Sequence, residues 1–275
     1  MTQEKVNAEL AERSHVGASV SEKPFAVSAA EREVADALPI EVDPAVARAT
    51  VATIPFWFHT FALNRAAGIY TPGAARDHRY RLTFLPADLT GKRVLDVGTF
   101  DGFYAFLAEH RGAHRVAAVD NEQYRMWVRA RWGIDVDGGA GFRAIHHLLD
   151  SRVEYRRMDA FSLADLGEKF DLVLCCGILH RVENPLGLLR VLRSVTETGG
   201  KLLIETYGLR PYERDGPTIR VSQPGEVYTR DEFVYWQFGK AALERMGRLA
   251  RFDQVSPLKA LTVDGHPRII GMMSA

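Results

Sequence analysis

Five short apolar runs, each closed by a glycine or a carboxylate, constrain this chain more than any other feature. Arg93–Val97 (RVLDV) runs into Gly98-Thr99-Phe100-Asp101-Gly102, and a helical pattern follows at once over 103–111. Residues 115–119 close on Asp120, with helical patterns near 124–131 and over Ala140–Leu149. Residues 153–157 close on Asp159. Residues 170–175 lead to Gly177 and a helix over Pro185–Val195, and 201–205 ends on Glu205. Thr229-Arg230-Asp231-Glu232 reads as a capping box that opens a helix to about residue 246, with last strands at 251–255 and 268–272. Strands alternating with helices predict an α/β fold. It is a doubly wound, mostly parallel seven-stranded Rossmann-like sheet with helices on both faces. Ligands of such sheets sit outside the carboxyl ends of the strands, where the strand order reverses.

The chain ahead of residue 91 differs in character. Residues 1–40 are polar and read as a flexible or partly helical tail. Residues 41–90 turn helical and then aromatic (Phe56, Trp57, Phe58, His59, Phe61), which predicts an N-terminal helical lid or ordinary packing. Residues 91–275 form the sheet domain, with an insertion at about 208–228 expected to cover a substrate. The two cysteines, Cys175 and Cys176, are adjacent and cannot make a disulfide framework. With no signal peptide and no apolar run long enough to span a bilayer, the expectation is a cytoplasmic protein with no membrane partner. Formal net charge is zero, which argues against a nucleic-acid partner. The oligomeric state is not legible.

The first strand end carries the strongest chemical signal. Glycines at 98 and 102 permit a tight turn and close backbone approach to a ligand. Between them stands Asp101. A carboxylate there would repel the pyrophosphate of a dinucleotide, but it suits the cationic amino group of a methionine moiety. The loop therefore fits S-adenosylmethionine better than NAD. Asp120, closing the second strand, can accept both hydroxyls of a ribose, and its bland alternative is a helix cap. Asp159, with Ala160 and Phe161, offers a carboxylate to an adenine amino group and an apolar wall to its ring.

VLDVGTFDGFYAF, GAHRVAAVD and FDLVLCCGILHRVENPLGLLRVL resemble class I S-adenosylmethionine-dependent methyltransferases. They look closest to the tRNA wobble-uridine carboxymethyltransferase group and its antibiotic-tailoring relatives. The resemblance covers roughly residues 57–275, and the G-T-x-D-G motif with Thr99 is among its more specific markers. It implies cofactor contacts from Gly98, Asp120, Asp159, Ala160 and the Cys176-Gly177 turn. It also implies, for the carboxymethyltransferases, a carboxylated cofactor held partly by a tyrosine after the fourth strand. Here His180 and Arg181 stand at that point, so plain S-adenosylmethionine is expected, although Arg268 could match a basic carboxylate contact.

Methyl transfer needs alignment of the acceptor and, for an alcohol, a base. The candidates near the carboxyl edge are His180, Glu205, Tyr207 and His59. Each has a bland reading, as Glu205 could simply pair with an arginine. No His/Cys/Asp cluster has metal-ligand spacing, so no metal is expected. Glu213, Asp215 and Glu226 in the insertion suggest a small polar or cationic substrate. A loose resemblance to gentamicin-type enzymes points to N-methylation of an amino sugar in aminoglycoside antibiotic biosynthesis. The alternatives are wobble-uridine methyl- or carboxymethylation of tRNA, small-molecule O-methylation, and a cofactor-binding protein without catalysis.

Overall fold

A computed structural model describes residues 26–121, 123–228 and 230–275. Its first element is helix α1 (Ala29–Ala35), opened by a full capping box between Ser28 and Glu31. Helix α2 (Pro44–Thr53) follows, with Asp43 as N-cap and proline at its first position. Strands β1 (Ala62–Asn64) and β2 (Ile69–Tyr70) then form a small antiparallel hairpin, and a single helical turn, α3 (Arg79–Leu82), follows. The polar tail expected over residues 1–40 is therefore ordered from Ser28 onward. Its first 25 residues lie outside the described residues.

The main sheet contains β3 (Arg93–Val97), β4 (Arg115–Asp120), β5 (Glu154–Arg157), β6 (Phe170–Cys176) and β7 (Thr196–Tyr207), all parallel. A minor hairpin, β8 (Ile219–Val221) with β9 (Trp236–Phe238), stands apart. The chain returns to the main sheet as β10 (Gln254–Val255), β11 (Lys259–Val263) and β12 (His266–Ser274), which run antiparallel. The order is β10-β12-β7-β6-β3-β4-β5, with β11 also on β12. Among the described residues the sheet thus has eight strands, not seven. Two short strands share the outer edge of β12, and the turn at Gly265 (φ +77°) joins β11 to it.

Period-two burial explains the two cores. Val94, Val116, Ala118, Leu172 and Leu174 face one cluster, under α4 (Phe103–His110) and α6 (Ala140–Leu149), while α5 (Gln123–Trp132) packs Trp127 and Val128 into a smaller cluster with Phe56 and Val136. Leu95, Val97, Ala117, Val119, Val173 and Cys175 face the other, under α7 (Pro185–Val195) and α8 (Lys240–Leu249). Val34, Leu38, Trp57, Phe61 and Leu63 belong to the first cluster, so the N-terminal segment is built into the core.

The helix expected from the 229–232 capping box does not form. Helix α8 starts only at Lys240, after an extended Gly239, and residues 236–238 pair as β9. The Asp231 carboxylate ties this segment into a loop, accepting from the Trp127 indole at 2.8 Å, from Arg181 and from the Phe233 amide at 3.0 Å. Thr229 lies outside the described residues. The order of β3 places β4 on one side and β6 on the other, so the reversal falls beside Gly98.

Candidate functional site

A cavity of about 1050 Å³ opens at the carboxyl ends of β3, β4 and β6. Gly98 is in its wall with φ +76°, and a Cβ there would sit 2.2 Å from the Ile178 side chain. Only glycine satisfies both conditions. Phe100, at φ +56°, turns its amide onto Asp120 at 2.7 Å, and Asn121 adds a second amide at 2.9 Å. These two bonds leave roughly half of a carboxylate's acceptor positions open. Burial pushes Asp120 up to about 7, against the pull of those amides. A buried carboxylate with spare acceptor capacity at a strand end fits a pair of ribose hydroxyls.

Asp159 and Ala160 also line the cavity. Asp159 accepts from the Phe161 amide at 2.8 Å and opens a 3-10 helix over Ala160–Leu166. Phe161 keeps 40% of its surface exposed beside Met158, an apolar wall of the kind an adenine ring covers. Cys176 and Gly177 complete this side, and burial lifts the Cys176 thiol to about 12, so it stays protonated.

The other end is basic and aromatic. His180 lines the cavity, its Nδ1 lies 3.1 Å from Thr206 Oγ1, and its ring meets Tyr207 at 4.2 Å. Burial, with Arg181 and Arg268 nearby, holds His180 well below its usual range, so it is neutral near pH 7. Tyr207 lines the cavity too, and Arg268 donates to the hydroxyls of both Tyr207 and Tyr228 at 2.9 Å.

Several expected site residues are elsewhere. Glu205 is fully buried beneath the cavity and accepts from Arg81 at 2.7 Å, Arg268 at 3.2 Å and Tyr80 at 3.3 Å. Burial would raise its pKa, but the two guanidinium groups outweigh burial and hold it below the usual carboxylate range. Ionised, fully buried and off the cavity wall, it is the shared counter-ion of the two arginines. Asp101 does not reach the cavity. It accepts from the Phe58 and His59 amides at 2.8 and 2.9 Å and pairs with His59 Nδ1, fastening the aromatic segment to the first loop. His59 is consumed by that contact and packs on Phe103 and Tyr104. The Thr99 hydroxyl donates to Asp96 at 2.7 Å. Gly102 caps α4 (φ +89°), where a Cβ would strike Phe106 and Phe142. Thr99, Asp101 and Gly102 build the loop from behind.

The insertion contributes little. Val227 and Tyr228 line the cavity, whereas Glu213, Asp215 and Glu226 do not, and Glu226 pairs with Arg220. The carboxylates expected to face an aminated acceptor are therefore absent from the wall. The N-terminal segment supplies another wall through Phe58, residues 74–78, Tyr80 and Arg81. The residues that sequence reading missed are Trp127, Arg131, Tyr228, Asp231 and His266. For Trp127 and Arg131 the only signal was aromatic and arginine content in α5, a helix with no motif.

A methyltransferase-domain family model matches residues 70–248. The tRNA U34 carboxymethyltransferase of Campylobacter hominis is 32% identical over 177 residues, covering 64% of this chain and 56% of that protein. That of Azotobacter vinelandii is 30% identical over 171 residues, covering 61% and 47%. The chain thus spans about half the length of these curated relatives. The solved N-terminal domain of EvdMO1, in the presence of SAH and D-fucose, shares the fold at a TM-score of 0.55 and 22% identity, over 86% of this chain and 98% of that one. The chain belongs to the methyltransferase-domain family, the class I S-adenosylmethionine-dependent methyltransferases. Within that class it resembles the tRNA carboxymethyltransferase group, so zero net charge is no ground for excluding a nucleic-acid partner. Among the described residues no helix is long and apolar enough to cross a membrane.

Proposed function

We propose that this chain transfers a methyl group from S-adenosylmethionine to a small polar acceptor held at the basic end of the cavity. The observation that carries the reading is the single cavity joining Asp120, Asp159 and Gly98 to His180 and Tyr207. Bound there, S-adenosylmethionine would supply a methyl group already activated on a sulfonium. Asp120 would hold the ribose, and Asp159, Ala160, Phe161 and Met158 would flank the adenine. In the tautomer that donates Nδ1–H to Thr206, His180 keeps an Nε2 lone pair to orient or deprotonate the acceptor. Amino-sugar N-methylation finds at this end, besides the carboxylates already held by arginines, only Glu183 and Asp264, both exposed at the rim.

A second reading is carboxymethyl transfer, with tRNA as acceptor. Arg268, bonded to two tyrosine hydroxyls in the cavity wall, favours it, as do the relatives' names. Calorimetry with S-adenosylhomocysteine should show saturable one-to-one binding, and its absence would overturn the methyltransferase reading. Mass spectrometry of co-purifying cofactor separates the plain from the carboxylated form.

A further inference from the structure

The basic end of the cavity carries more positive charge than its own carboxylates neutralise. Arg81 and Arg268 share Glu205 at 2.7 and 3.2 Å. Arg181 takes Asp231 through two hydrogen bonds of 3.1 and 3.0 Å, and Arg131 reaches the same carboxylate only at 3.9 Å. Four guanidinium groups against two carboxylates leave two positive charges over. The other acids near this end, Glu183 and Asp264, are exposed at the rim. All four arginine side chains are recessed, between 10% and 25% exposed. Buried Nε atoms of Arg81 and Arg268 have no hydrogen-bond partner among the described residues. Cations withdrawn from water in this way are costly unless an anion meets them.

Arg131 is the least satisfied of the four. Its guanidinium lies 4.2 Å from the Tyr228 ring centre and 4.7 Å from that of Trp132. Stacking occupies the faces of the group and leaves its in-plane N–H donors free, a fork that matches a planar or tetrahedral oxyanion. Burial lowers its pKa, so an anion there would relieve a real desolvation cost. Arg181 stands beside it, over the Trp127 ring at 4.9 Å.

We propose that Arg131 and Arg181 form a subsite for a carboxylate or phosphate group carried by a small acceptor. The proposal deepens the methyl-transfer reading and rests on it. It is separate from Arg268, whose two terminal nitrogens are engaged by Glu205 and by two tyrosines. A small acceptor suits the recess, because the four arginine side chains are at most 25% exposed, whereas a nucleic-acid backbone is met by an exposed basic patch.

The test uses the full chain saturated with S-adenosylhomocysteine, so that no probe occupies the cofactor's own positions. Inorganic phosphate, acetate and glucosamine are titrated by calorimetry into wild type, Arg131→Gln and Arg131→Lys. Phosphate or acetate should bind wild type, weaken about tenfold in Arg131→Gln, and recover most of that loss in Arg131→Lys. Which of the two anions binds better identifies the group on the acceptor. Glucosamine should not bind. Equal anion affinity in Arg131→Gln, no anion binding by wild type, or preferred glucosamine binding would each overturn the subsite. So would tight, saturable binding of bulk tRNA that depends on Arg131. Failure of S-adenosylhomocysteine to bind is read in the first titration and counts against the methyltransferase reading alone. Cofactor affinity in Arg131→Gln should equal that of wild type, which shows the variant is folded.

Discussion

The two ends of the cavity solve opposite electrostatic problems. At the Asp120 end, carboxylates sit at the tips of parallel strands, partly satisfied by backbone amides and short of donors. At the His180 end, arginines crowd around two carboxylates and are short of acceptors. The acidic end comes from adjacent strands, and each group is set by the turn it closes. The basic end gathers α3, α5, the turn after β6, β7, the loop before β9 and β12. One end is local geometry repeated along a sheet edge. The other exists only because distant segments meet. Buried charge is tolerated at both ends for different reasons: hydrogen bonds to amides in one, shared counter-ions in the other.

The severest test of the basic end is Glu205. Replacing it with Gln leaves Arg81 and Arg268 buried without their shared counter-ion. Breaking a buried pair by removing one partner typically costs about 3–5 kcal/mol. Urea unfolding of Glu205→Gln should register a loss of that order. A change under about 1 kcal/mol would mean that the arginines reach water or other partners, and that the two ends differ less than their geometry implies.

Asp120→Ala probes the acidic end. Loss of two charge-assisted bonds to a ribose should cost about 2–3 kcal/mol, or roughly a hundredfold in S-adenosylhomocysteine affinity. Unchanged affinity in a folded variant would detach the ribose from this strand end.

The difference between the ends also decides what could be read from residues alone. The strands at 93–97, 115–120 and 170–176 and the helices at 140–149 and 185–195 were legible because apolar period and turn chemistry agree within each. So were Gly98, Asp120, Asp159 and Gly177, which the topology carries to one edge automatically. Asp101 was misread because an acid in a glycine loop does not reveal which way it faces. In the fold it turns inward, to two amides of the 58–59 segment forty-odd residues earlier. For Glu205 the structure favours the alternative reading of an arginine partner: strand register puts it at the edge, but Arg81, 124 residues away, holds it ionised beneath the wall. Thr229-Arg230-Asp231-Glu232 fits a capping box on paper, yet Trp127 and Arg181 tie its Asp231 into a loop and no helix opens before Lys240. Long-range pairing overrode local propensity in each case.

Titration offers a finer comparison of the ends. Burial lifts Asp120 to about 7, from an ordinary aspartate value near 3.8. The sign follows from linkage. Because the folded value is raised, this group's contribution to stability is fully present below the unfolded value and is lost as pH rises toward about 7. Ribose hydroxyls require the ionised form, so cofactor affinity runs the other way. The affinity for S-adenosylhomocysteine should fall by up to about tenfold per pH unit as pH drops below 7. Asp120→Asn should bind weakly with a flat profile. His180, held neutral, should add no step near its ordinary value of 6.5. A break in the Asp120→Asn profile near that pH would show that His180 does titrate in this range.

The smallest expected effect concerns an apolar contact at the acidic end. Phe161 is a large side chain left 40% exposed at the cavity wall, immediately after the Asp159-Ala160 pair. A ring that exposed contributes little to the core, so Phe161→Ala should leave the unfolding midpoint nearly unchanged. If an adenine covers it, the aromatic contact is worth about 0.5–1.5 kcal/mol beyond simple area burial. That predicts a loss of roughly two- to tenfold in S-adenosylhomocysteine affinity. Adenosine alone should lose the same factor, and methionine should lose none, because the contact belongs to the base. Parallel titrations of the three ligands into wild type and Phe161→Ala carry the comparison. Equal losses for adenosine and methionine would trace the effect to a disturbed loop. No loss for adenosine would move the base away from the 3-10 turn, leaving Asp159 with only its role as the cap of that turn.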